Sequence, residues 1–119
     1  MPPRDVLACL RDILEACDAI MQASEGMSFD DYRESRALRG WIERELITIG
    51  EATLHAIRAD ATIERTLPDA RRIVDFRNVL VHGYHVVDDE VVWKIATERV
   101  SQLRGEVASV MQSLGEDEN

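Results

Sequence analysis

Glu90-Val91-Val92-Trp93-Lys94-Ile95-Ala96-Thr97-Glu98-Arg99-Val100-Ser101-Gln102-Leu103-Arg104-Gly105-Glu106-Val107-Ala108-Ser109-Val110-Met111-Gln112-Ser113-Leu114 carries an apolar line at Val92, Ala96, Val100, Leu103, Val107, Val110 and Leu114. The steps are three and four residues, the repeat of a helix that buries one face. The spacing predicts a last helix over about Glu90–Leu114, with Asp88 or Asp89 as its cap. Residues 115–119, Gly-Glu-Asp-Glu-Asn, form an acidic tail expected to be disordered.

Working back from that helix, His85 to Asp89 reads as a short loop. Before it, Pro68 suits the first position of a third helix, where a missing N–H costs nothing. Ile73, Phe76 and Leu80 share one face of that helix, and Gly83 is suited to the left-handed conformation that follows a helix end. A strand at Tyr84–Val87 or Val91–Trp93 would be too short to alter the class. Asp60 to Thr66 is a connector with a loose turn.

A second helix is predicted over about Arg33–Arg58, with Leu38, Ile42, Leu46, Ile49 and Leu54 on its apolar side and Trp41 and Ile47 widening it. Gly50 lies inside it at a cost of about 1 kcal/mol relative to alanine, so close packing against another helix is expected there. Ser28-Phe29-Asp30-Asp31 resembles a helix cap with an acid at the third position. A first helix over Arg4–Ser24 is striped by Leu7, Leu10, Leu14, Cys17 and Met21, and Gly26 is its stop. Met1 to Pro3 is a frayed start. Long, long, shorter, long: the order predicts an all-α, four-helix up-down bundle, with residues 1–119 as a single helical domain.

Composition agrees. Aromatic residues make up 5% and prolines number three, which favours helices packed through aliphatic side chains. Cys9 and Cys17 would be about 12 Å apart along one helix, too far for a disulfide. They suit small buried residues in a reducing compartment. No long apolar run or export signal is visible, so a cytoplasmic protein without membrane contact is expected. The net charge of −9 argues against a general polyanion binder. Any RNA contact needs a local positive cluster. Arg33, Arg36, Arg39 and Arg44, with Arg71 and Arg72, either supply one or form solvated helix faces.

The chemistry concentrates in Arg77-Asn78-Val79-Leu80-Val81-His82-Gly83-Tyr84. An arginine and a histidine suit metal-independent cleavage of an RNA phosphodiester. The imidazole moves a proton at the 2′-OH or the leaving oxygen, and the guanidinium meets charge on the phosphate. Their five-residue spacing puts them about 140° apart around a helix, so a joint site needs a helix end between them or a second surface. Asn78 and His82 share a face, and a contact between them would orient the imidazole. The bland reading keeps a capping histidine and a surface arginine. His82 and His85 lack a third ligand at zinc spacing. No glycine-rich phosphate loop is present, and Asp88, Asp89 and Glu90 look like a cap rather than a Mg²⁺ cage. Tyr84 is either a ring packed at the bundle end or an exposed hydroxyl beside the pair, open to modification.

The Arg77–Tyr84 segment resembles the signature of HepT-like proteins of the HEPN superfamily: an arginine, four to six residues, a histidine, any residue, then a tyrosine. Ile47-Thr48-Ile49-Gly50-Glu51-Ala52 is similar to the family's segment on the second helix, and Val87-Asp88-Asp89-Glu90-Val91-Val92-Trp93 to the one leading into the last helix. The resemblance implies a small all-α homodimer that serves as the toxin of a two-gene toxin–antitoxin module, type VII-like, and cleaves RNA without a metal or other cofactor. It implies Arg77 and His82 as the active pair at the dimer interface, and Asn78 as the polar residue beside the arginine. The implied partner is a minimal nucleotidyltransferase antitoxin, with Tyr84 as the acceptor of AMP. Glu51, on a family motif position, is expected to hold Arg77 by an ion pair. The alternative is a non-catalytic helical subunit that binds a nucleotidyltransferase.

Overall fold

A computed structural model describes residues 4–118. Met1 to Pro3, read above as a frayed start, and Asn119 lie outside the described residues. Every regular element among the described residues is helical.

Helix α1 spans Arg4–Ser24. Its buried line is Val6, Leu10, Ile13, Cys17 and Ile20. Of the predicted stripe, Leu7 and Leu14 are half-buried and Met21 is exposed. The cause is that α1 packs against two helices at once, so its apolar sector is wider than one stripe. Gly26 ends the run at φ 73°, the left-handed conformation glycine adopts at little cost.

Ser28 then starts α2, Phe29–Glu34, through a reciprocal cap. The Asp31 amide donates to Ser28 Oγ at 3.1 Å, and the Ser28 amide donates to Asp31 Oδ2 at 2.8 Å. The expected second helix does not begin at Arg33. Ser35 is extended and its Oγ accepts from the Leu38 amide, so α3 spans Arg36–Ala59 and Arg33 stays in α2. Serine favours this break because its hydroxyl satisfies an amide that the first helical turn leaves unpaired. Ile42, Leu46, Ile49, Thr53 and Ala56 form the buried side of α3. Trp41, expected to widen that side, is instead 49% exposed.

The connector holds a single helical turn, α4, Ile63–Thr66, pinned by the fully buried Leu67 and nearly buried Ile63. Helix α5 spans Ala70–His82. Pro68 is therefore not its first residue. Pro68 and Asp69 form a turn in which the Ala70 amide donates to the Leu67 carbonyl at 3.1 Å, and the Asp69 carboxylate pairs with Arg99 at 2.8 Å and Arg72 at 3.9 Å. Gly83 has φ −120°, so the left-handed ending expected there does not occur. The chain tightens into a 3₁₀ turn, Tyr84–Val86, with the Val86 amide bonded to the Gly83 carbonyl at 2.9 Å.

Asp88 caps α6, Asp89–Lys94, by accepting from the Glu90 amide at 2.8 Å. A π turn, Ile95–Arg99, joins it to α7, Val100–Glu118, in one continuous rod. The final helix thus runs on to Glu118, through residues expected to be disordered, since Gly115 keeps a negative φ and no proline interrupts the turn. Val92, Ala96, Val100 and Val107 of the predicted stripe are buried, and Leu103, Val110 and Leu114 are half-buried.

Helix α1 packs on α3 and on the α6–α7 rod, and α5 packs on the far side of α3. Helices α5 and α7 face each other across a groove of about 390 Å³, floored by Leu46 and Ile49 and walled by Ile73, Phe76, Ile95 and Leu103. Two long-range contacts lock the frame. Buried Tyr32 stacks on Trp93 with ring centres 5.1 Å apart, and Arg104 of α7 pairs with Asp18 of α1. No described helix is long and apolar enough to cross a membrane.

Candidate active site on the third long helix

Arg77 leaves α5 toward α3, where Gly50 makes room for it. A Cβ on Gly50 would lie 2.2 Å from Arg77 Cβ and 2.7 Å from its Cγ. That contact accounts for the glycine inside α3. The guanidinium is held at its tip. Nη2 donates to Glu51 Oε1 at 3.3 Å, and Nη1 donates to Asn78 Oδ1 at 2.9 Å. Arg77 Nε is buried without an acceptor among the described residues, and the side chain is 22% exposed. The arginine is thus fixed from below and open at one edge.

The expected ion pair between Glu51 and Arg77 is present. Asn78 differs from expectation: its carboxamide oxygen accepts from Arg77 rather than from His82. His82 is the last residue of α5 and is exposed. Since α5 is regular from Ala70 to His82, the angle of about 140° between Arg77 and His82 stands, and one chain does not point both at one spot. Tyr84 opens the 3₁₀ turn two residues beyond His82; its side chain lies outside what the structure describes.

The arginines do not collect into one groove. Arg33 pairs with Asp30 at 3.2 Å and lies 5.9 Å from the Phe29 ring centre. Arg39 donates to the Arg33 carbonyl. Arg71 binds Glu64 at 2.9 Å, and Arg72 shares Asp69 with Arg99. Arg44 has no ion pair among the described residues and lies on the same side of α3 as Glu51. Helical spacing from Glu51 marks that position, but only once Glu51 is known to face Arg77. Among the described residues no three His, Cys, Asp or Glu side chains stand as a metal-holding group.

Away from this region, burial pushes the Cys17 thiol up to about 12, with the Asp18 carboxylate adding to the shift. Burial likewise raises the Tyr32 phenol above its ordinary range. It also raises the Glu43 carboxyl, with Asp89 adding to the effect. All three are properties of the packed frame.

A model of the family described as Ribonuclease HepT-like matches residues 13–110, which include every candidate site residue named above. The chain belongs to the HepT-like ribonuclease family. Its relatives include a Methanocaldococcus jannaschii protein with a provisional RNase name, 30% identical over 100% of this chain and 98% of that protein. A second from the same organism, also provisionally named an RNase, is 31% identical over 92% of this chain and 100% of its own length. A Thermococcus cleftensis protein provisionally named ribonuclease HepT is 29% identical over 81% of this chain and 86% of its own. No solved structure matches.

Proposed function

We propose that this chain is the toxin of a type VII-like toxin–antitoxin pair and a metal-independent endoribonuclease of the cytoplasm, acting as a homodimer. The observation that carries the reading is the fixed Arg77 guanidinium, seated on Gly50 and held by Glu51 and Asn78, one helical turn and a half before an exposed His82. A guanidinium immobilised in this way loses little freedom when it meets a phosphate.

In the reaction, a ribose 2′-oxygen attacks the adjacent phosphorus and the bond from phosphorus to the 5′-oxygen breaks. The proton leaves the 2′-OH and a proton reaches the departing 5′-oxygen, giving a 2′,3′-cyclic phosphate and a 5′-hydroxyl. His82 moves one of these protons, and Arg77 stabilises the charge that builds on the non-bridging oxygens. The angle between the two side chains is met by a second subunit, whose own pair faces a shared cleft.

The partner in this reading is a minimal nucleotidyltransferase antitoxin. It transfers AMP from ATP to the Tyr84 hydroxyl, forming a phosphodiester and releasing pyrophosphate and the phenolic proton. The bulky anion then blocks the cleft. A second reading, a helical subunit that only binds the nucleotidyltransferase, draws support from the exposed apolar side chains Val79, Val86 and Val91, which flank the 3₁₀ turn in sequence.

Cleavage of RNA in EDTA separates the two. The first reading expects cleavage by the wild type and none by folded Arg77→Ala or His82→Ala. Cleavage that persists in folded His82→Ala refutes it. A stable complex and a one-AMP mass gain lost in Tyr84→Phe, without cleavage, select the second.

A further inference from the structure

Helix α5 packs on α3 and scarcely touches the α6–α7 rod, which leaves the groove between α5 and α7 open. Its volume of about 390 Å³ is that of a small-molecule site. A helix, about 10–12 Å across with its side chains, is too wide to enter it. None of Glu51, Arg77, Asn78 and His82 lines the groove, so it is separate from the candidate active site.

One end of the groove is charged and the other is apolar. At the charged end Asp69 pairs with Arg99 of the π turn at 2.8 Å and with Arg72 at 3.9 Å. Glu106 stands at this end too, since it also lines the adjoining cleft with Thr66 and Pro68, directly before Asp69. Arg72 is beyond hydrogen-bond distance of Asp69. Glu106 accepts from Gln102 at 3.3 Å. Among the described residues Arg72 and Glu106 do not pair with each other, although both line the groove. Away from Asp69, Phe76 lies one turn beyond Arg72 on α5, and Ile95 lies four residues before Arg99. A loosely held guanidinium and a carboxylate without an ion pair thus stand about one helical turn, or 6 Å, from an apolar recess.

We propose that this groove binds a free α-amino acid with a large apolar side chain. The carboxylate of the ligand meets Arg72 and the N–H groups of Arg99 that Asp69 leaves open, and its ammonium meets Glu106. Its side chain enters the recess beside Ile73, Phe76 and Ile95. The charge balance selects the class. Two guanidiniums face two carboxylates, so the charged end favours a group that brings one charge of each sign on neighbouring atoms. A fatty acid or a peptide terminus brings only one. The proposal goes beyond the ribonuclease reading and uses none of its residues.

The test titrates L-phenylalanine, L-leucine and N-acetyl-L-phenylalaninamide into the full chain by calorimetry. At least one free amino acid is expected to saturate one site per chain, and the uncharged amide to bind about tenfold more weakly or worse. Arg72→Ala and Glu106→Gln, both at the surface, should each weaken the amino acid by about tenfold. Leu103→Trp, which fills the groove, should abolish binding. The proposal is overturned if neither amino acid binds, if the amide binds as well, or if Arg72→Ala and Glu106→Gln both leave binding unchanged. A fall in sedimenting mass in Leu103→Trp also overturns it, because a second copy of the chain would then be what covers the groove.

Discussion

Gly50 and Arg77 touch where two helices cross, and the distance between them leaves no room for a methyl group: a Cβ on Gly50 would fall 2.2 Å from Arg77 Cβ. The backbone of α3 is the platform on which the arginine of α5 lies. Gly50→Ala should force the helices apart, lowering stability by about 1–3 kcal/mol as over-packing does. It should also displace the guanidinium from Glu51. Urea unfolding gives the first quantity. RNA cleavage at a temperature where the variant is folded gives the second, and is expected to be lost.

Glu51→Gln isolates position from stability. The ion pair is partly solvated, so its removal should change unfolding free energy by no more than about 1 kcal/mol. Arg77 would lose one of its two fixed bonds, and cleavage should fall by about tenfold or more because a misplaced group loses its orientation. A Glu51→Gln protein that keeps full cleavage would remove Glu51 from the positioning of Arg77.

Tyr32→Phe should stabilise the protein. The Tyr32 ring is fully buried against Trp93, and its hydroxyl finds no partner among the described residues. Removing an unsatisfied buried hydroxyl while keeping the ring should raise unfolding free energy by about 1 kcal/mol. Urea midpoints measured at one pH test this, and a lower midpoint would mean that the hydroxyl is satisfied.

Glu43 gives a pH dependence. Its carboxyl is raised above the usual carboxylate range, first by burial and then by Asp89. The folded chain therefore holds this proton more tightly than the unfolded chain. The stability Glu43 contributes is complete below its unfolded value and is lost as pH rises through the folded one. Glu43→Gln should be more stable than wild type near neutral pH, and that advantage should shrink on acidification. Unfolding curves at about pH 4 and about pH 7 decide it.

The sequence made the long elements legible because burial of one face leaves a three-and-four repeat. Arg4–Ser24 and the Asp88 cap are read directly from it. The places that were not legible are those where a distant residue decides. Asp69 is engaged by Arg99, thirty positions later, and Pro68 lies in a turn before the helix. Trp93 stacks on Tyr32 from sixty-one positions away, and Trp41 lies exposed. Ser35 breaks a helix with a cue no stronger than that of serines elsewhere. At the candidate site, the motif residues Arg77 and His82 and the supporting Glu51 were visible as residues. Which partner Asn78 takes and what Gly50 accommodates required the crossing of α3 and α5.

The π turn at Ile95–Arg99, where the Val100 amide reaches back to the Ile95 carbonyl, holds one more residue than an ordinary turn of helix. Its slack is local, since Val92 before it and Val107 after it are both fully enclosed. A sibling protein with one residue fewer at this point would relax to uniform winding and keep both flanks seated on α1. Length variation at that joint would be silent for packing, whereas the same deletion a few residues to either side would rotate half of the rod away from its neighbours.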